Sequence, residues 1–80
     1  MTLFYSIKFI DFDTRFSGEV EFPLNTYQNI EPYVEAMISY CRNDLTKSLK
    51  KWGFSADEME SVEFYYLKGS EENVFFSWTK

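Results

Sequence analysis

Apolar and polar residues alternate at the start of this chain. Leu3, Tyr5, Ile7 and Phe9 fall on one side of residues 3–12, and Phe4, Ser6, Lys8, Ile10 and Phe12 on the other. That two-residue period predicts a β-strand. Turn formers follow at Asp11, Asp13, Thr14, Ser17 and Gly18, and Val20, Phe22 and Leu24 then share one face of a second strand over Glu19–Leu24. Together they predict an antiparallel hairpin. Setting Phe9 opposite Val20 brings Ile7 to Phe22, Tyr5 to Leu24 and Lys8 to Glu21, whereas a one-residue slip would set Ile7 against Glu21. Pro23 has no N–H to give, so this end of the second strand is expected at a sheet edge.

The period then changes. Ile30, Val34, Met37, Ile38, Cys41, Leu45, Leu49 and Trp52 recur at three- and four-residue spacing, opposite a face of Glu31, Glu35, Arg42, Lys47, Lys50 and Lys51. This is an amphipathic helix with acids first and bases last, matching the helix dipole. Asn29 is the expected N-cap, Pro32 fits the first turn, and Gly53 supplies the stop. Such a helix, about 23 residues long, would span roughly 35 Å. Arg42-Asn43-Asp44 is a place where it could bend or restart.

Ser55-Ala56-Asp57-Glu58 reads as a capping box opening a single helical turn. Two further alternating runs, Ser61–Leu67 and Asn73–Thr79, flank the turn Lys68–Glu72. Facing Phe64 with Phe76 brings Val62 to Trp78 and Tyr66 to Val74. The order ββαββ predicts an α+β domain spanning residues 1–80, a two-layer fold of one four-stranded antiparallel sheet with the long helix packed on one face.

Composition sharpens this picture at one point. Nine Phe, six Tyr and two Trp make the 80-residue chain 21% aromatic. The inward strand positions and the helix stripe already fill a core of this size. Left on the far face of the sheet and its rim are Phe4, Ile10, Phe12, Tyr65, Leu67 and Phe75, interspersed with Glu19, Glu21 and Glu63. Aromatic anchors ringed by charge have the composition of a protein interface, and these nine residues form the expected partner-binding surface. The formal net charge of −5 favours a partner with a basic surface and disfavours nucleic acid and anionic membrane.

Candidate chemistry is sparse. The sequence has no His, so Ser-His-Asp and Cys-His arrangements and most zinc sites fall away. Gly18, Gly53 and Gly69 stand apart and form no phosphate-cradling loop. Cys41 lies on the apolar helix stripe and reads as a buried, inert thiol. The acids lack the spacing of a calcium loop, and a chain this short offers little room for a carboxylate-lined cleft. No catalytic residue, cofactor or metal is therefore expected. In size and composition the chain resembles inhibitors, antitoxins and immunity proteins, and phage-encoded host-takeover or anti-defence proteins, although no motif identifies a family. The expectation is a non-enzymatic module that antagonises a larger protein. One alternative is a structural domain that forms a homodimer through the same outer face; another is an acidic mimic of nucleic acid. Residues 1–8 lack a basic segment leading into an apolar stretch, so the expected location is the cytoplasm, of the producing cell or of an infected host.

Overall fold

The computed structural model describes residues 1–25 and 27–80. Four strands, β1 (Thr2–Phe9), β2 (Phe16–Glu21), β3 (Met59–Lys68) and β4 (Glu71–Thr79), enclose one long helix, α1 (Val34–Trp52), in the chain. The strands form a single sheet in the order β2-β1-β3-β4, with every neighbouring pair antiparallel. The ββαββ, α+β architecture expected from the patterning is the one observed. Because α1 carries the chain across from β2 to β3, the two hairpins meet along β1 and β3 at the centre of the sheet. β2, which leads into Pro23, lies at an edge.

The first hairpin corrects the expected register. Ile7 faces Phe16, Tyr5 faces Gly18, Leu3 faces Val20 and Thr2 faces Glu21. The strand therefore starts at Phe16 instead of Glu19, and Phe22 follows it, with its N–H donating to the Met1 carbonyl at 2.8 Å. The shift is an even number of residues, so Val20 and Phe22 keep the face assigned to them. Two contacts explain the choice. Phe16 stands edge-on to Phe9, with ring centres 5.2 Å apart. Gly18 lies under the Tyr5 ring, where a Cβ would come within 2.3 Å of the ring carbon bearing the hydroxyl. No other residue type leaves that space. Lys8 consequently does not meet Glu21; its ammonium lies 3.0 Å from the Glu60 carboxylate on β3.

The second hairpin follows the expected register for half its length. Val62 faces Trp78 and Phe64 faces Phe76, but Tyr65 then faces Val74 and Tyr66 faces Asn73. Phe75 is the additional residue of a β-bulge on β4, and every side chain on its far side changes face. Val74, expected inward, is turned outward and is 51% exposed. Phe75, expected outward, packs on the core, with its ring 6.2 Å from Phe64 and 6.4 Å from Tyr66. The exchange places a phenyl ring on the apolar side in place of a smaller isopropyl group, which removes more surface from water.

The helix starts later than expected. Asn29 is not its cap: it adopts a left-handed φ of 56°, and a 3-10 turn at Glu31–Tyr33 containing Pro32 precedes Val34. From there α1 runs unbroken for 19 residues through Arg42–Asp44. Gly53 ends it at a left-handed φ of 82°. This reversal lets the Phe54 N–H reach the Leu49 carbonyl at 2.9 Å and lays the Phe54 ring on Phe9, 3.9 Å away and nearly parallel. The capping box forms as the sequence predicts, with the Ser55 N–H donating to the Glu58 carboxylate at 2.7 Å.

Leu3, Tyr5, Ile7 and Phe9 of β1 are completely buried beneath Met37, Cys41, Leu45 and Leu49 of α1. Val62, Phe64 and Tyr66 of β3 and Phe22, just after β2, complete the core. The helix lies closest to β2 and β1 and approaches β4 less.

Candidate functional site

Two faces of the sheet carry apolar surface that the core does not consume. The face away from α1 is ordered by the ladders into rows. One row reads Glu19, Phe4, Tyr65, Val74 across all four strands. Its neighbours set Glu21 beside Thr2, Leu67 beside Glu72, and Ser6 beside Glu63. The Phe4 and Tyr65 rings stack 5.3 Å apart at 17°. They are half-buried against each other, as is Leu67, while Glu19, Glu21, Glu63 and Glu72 are exposed around them. The Thr2 hydroxyl donates to Glu21. Arg15 closes one end of the face, donating from Nε to the Ser6 hydroxyl at 2.6 Å and from a terminal nitrogen to the Ser6 carbonyl at 3.3 Å. Partial burial raises the Tyr65 phenol pKa above its ordinary value, and the carboxylates of Glu72 and Glu63 push it the same way against Arg15. The hydroxyl therefore stays a neutral donor among carboxylates.

Six of the nine residues expected to form the interface thus share this face: Phe4, Glu19, Glu21, Glu63, Tyr65 and Leu67. Phe75 leaves it through the bulge, and Val74 takes its place. Ile10 and Phe12 are also elsewhere. Each is 46% exposed in the loop after β1, and Phe12 stands edge-on to Phe16 and Phe54 at 6.1 and 5.2 Å. Phe12 belongs to an aromatic group at the C-terminal end of α1 that also holds Phe9 and Trp52.

The second uncovered region lies on the helix side. Between α1 and β4 runs an open groove of about 280 Å³ with a floor of Val62, Phe64, Phe76 and Trp78, walls of Leu45 and Leu49, and Arg42 at its rim. Trp78 points inward as its alternation predicts, yet it is 41% exposed because the helix does not reach it. The alternation sets both Phe76 and Trp78 inward; Phe76 packs against the core, its ring 4.9 Å from Phe64, whereas Trp78 stays open. The reason is dimensional. A helix about 10 Å across cannot roof four strands spaced about 4.8 Å apart.

Cys41 is fully buried and burial pushes its thiol up to about 12, with the Asp44 carboxylate adding to the shift. At neutral pH the thiol therefore stays protonated. Among the described residues no group of three or more His, Cys, Asp or Glu side chains is placed to hold a metal ion. None of the described helices is long and apolar enough to cross a membrane. Compared with family models, with curated proteins and with solved structures, the chain shows no significant match to any of them.

Proposed function

We propose that this protein is a non-catalytic binding module that engages a larger protein through the outer face of its sheet and antagonises it. The observation that carries the reading is the stacked Phe4–Tyr65 pair, continued by Leu67 and Val74 and bordered by Glu19, Glu21, Glu63 and Glu72. Half-buried rings offer a partner apolar area whose rotamers are already fixed, so little entropy is lost on docking. The surrounding carboxylates, on a chain of net charge −5, select a partner with Lys and Arg on its contact surface and speed their encounter.

The test is capture of partners from the source cell, followed by affinity measurements with the purified partner. Tyr65→Ala should cost more than about 2 kcal/mol in affinity while the fold persists, as central aromatic anchors do. Glu21→Lys and Glu63→Lys should chiefly slow association and flatten its dependence on salt. Unchanged binding by the sheet-face variants, with loss on replacing Arg42, Lys47 and Lys50 by Ala, would move the site to the exposed side of α1 and overturn the assignment.

A further inference from the structure

We propose that β4 is a self-pairing edge, and that two copies join through it into a continuous eight-stranded antiparallel sheet with both helices on one side. The inference is independent of the outer face and rests on what the bulge does to the free edge.

β4 is the last strand of the sheet, so half its backbone groups have no strand to bond. Which half follows from the ladder. The Lys80 N–H donates to the Glu60 carbonyl at 2.9 Å. By antiparallel alternation Trp78 and Phe76 also turn their backbone groups to β3, and Ser77 and Thr79 turn theirs outward. Along β3, Phe64 and Tyr66 face β4 and Tyr65 faces β1. Asn73, opposite Tyr66, therefore bonds inward, and Val74 and Glu72 present theirs to solvent.

The outward set is thus Glu72, Val74, Ser77 and Thr79, with a change of step at Phe75. A second copy running antiparallel can meet all four in one register, with Val74 opposite Ser77 and Glu72 opposite Thr79 on each side of a two-fold axis. In that register side chains also agree in face. Val74, Ser77, Glu72 and Thr79 belong to the outer face, while Trp78 comes beside Asn73 of the other copy on the inner face. A pairing displaced by one residue would match none of the four, and one displaced by two would match only Glu72 with Ser77, or Val74 with Thr79. Bulges commonly guard an edge against pairing. Here the same irregularity is present in both copies, and centring it on the axis restores the match.

The pairing also accounts for apolar surface that the fold leaves open. Phe76 and Trp78 form the uncovered floor of the groove beside α1. Joined at β4, the floors of the two copies become one aromatic band between the two helices, partly removed from water by the partner strand. The occupant best fitted to this edge is a second copy of the chain, because the register that satisfies its hydrogen bonds is symmetric.

Sedimentation equilibrium is the first test. The parent should run at twice the 9.6 kDa chain mass, and Ser77→Pro, which removes an outward N–H alone, should run as a folded monomer. Register is tested by disulfide trapping, which remains decisive if Ser77→Pro does not fold. The Val74 and Ser77 Cα atoms of paired copies would be about 5.5 Å apart. A mixture of the Val74→Cys and Ser77→Cys proteins should cross-link under mild oxidation, and neither alone should. Buried Cys41 stays out of the exchange. A parent that remains monomeric at millimolar concentration overturns the proposal. So does a dimer that the mixed cysteines fail to trap, or one that Tyr65→Glu dissolves while a folded Ser77→Pro protein stays dimeric.

Discussion

β1 and β4 present the same kinds of side chain toward the helix layer, yet they end in different states. Leu3, Tyr5, Ile7 and Phe9 have no exposed surface, whereas Trp78 keeps 41% of its own and Phe76 is half-buried. Hydropathy does not separate the two strands; the position of α1 does. A polar tie inside the apolar layer adds to the packing that holds the helix over β1 and β2. The Tyr5 hydroxyl donates to the Asp44 carboxylate at 2.6 Å and is 2.7 Å from the Ser48 hydroxyl. Gly18, by lacking a side chain, lets that ring lie flat enough to reach them. β4 has no such tie to α1 among the described residues. A sheet wider than its helix thus gives a sealed half that carries stability and an open half free for association.

Substitutions should scale with this division. Phe9→Ala, on the sealed side, removes a ring stacked on Phe54 and touching Phe16. It should cost about 3–5 kcal/mol in denaturant unfolding, and a melt that overlays the parent would contradict the burial of β1. Gly18→Ala comes next, at about 1–3 kcal/mol, because the new Cβ meets a ring that its two hydrogen bonds hold in place. Its near-ultraviolet dichroism should report a displaced tyrosine.

Tyr5→Phe keeps the packing but leaves Asp44 and Ser48 without their partner, and should cost about 1–2 kcal/mol at neutral pH. Its pH dependence is the sharper readout. Burial, reinforced by Asp44, pushes the Tyr5 phenol from 10.0 up to about 12. The folded chain therefore holds this proton more tightly than the unfolded chain. The stabilisation is complete below pH 10 and is lost as pH rises toward 12. The gap between parent and Tyr5→Phe should accordingly narrow across that window, and a gap that stays constant would dissociate the tie from the titration. The smallest effect is expected on the open side. Trp78→Ala should change the stability of dilute protein by only about 1 kcal/mol, and a loss as large as that of Phe9→Ala would erase the distinction between the two halves.

Much of the fold was legible in the residues. The alternation of Leu3, Tyr5, Ile7 and Phe9, the helical stripe through Met37, Cys41, Leu45 and Leu49, and the punctuation at Gly53 and Ser55–Glu58 are local patterns, and local patterns report local conformation. So does the face on which Phe4, Tyr65, Leu67, Glu19, Glu21 and Glu63 fall, since an even shift in strand pairing cannot move a side chain through the sheet. Three features lay beyond that reach. The hairpin register turned on the fit of the Tyr5 ring over Gly18, a contact between residues that alternation treats as interchangeable with their neighbours. The bulge that exchanges Val74 for Phe75 depends on how much room Phe64 and Tyr66 leave beside the helix. The open flank of β4 follows from where α1 comes to rest. Sequence alone determined the elements, their order and the faces of most strands, because backbone periodicity encodes these residue by residue. Tertiary structure decided register, the bulge and which apolar surface stays uncovered, because each is a choice among packings that only the assembled side chains can rank.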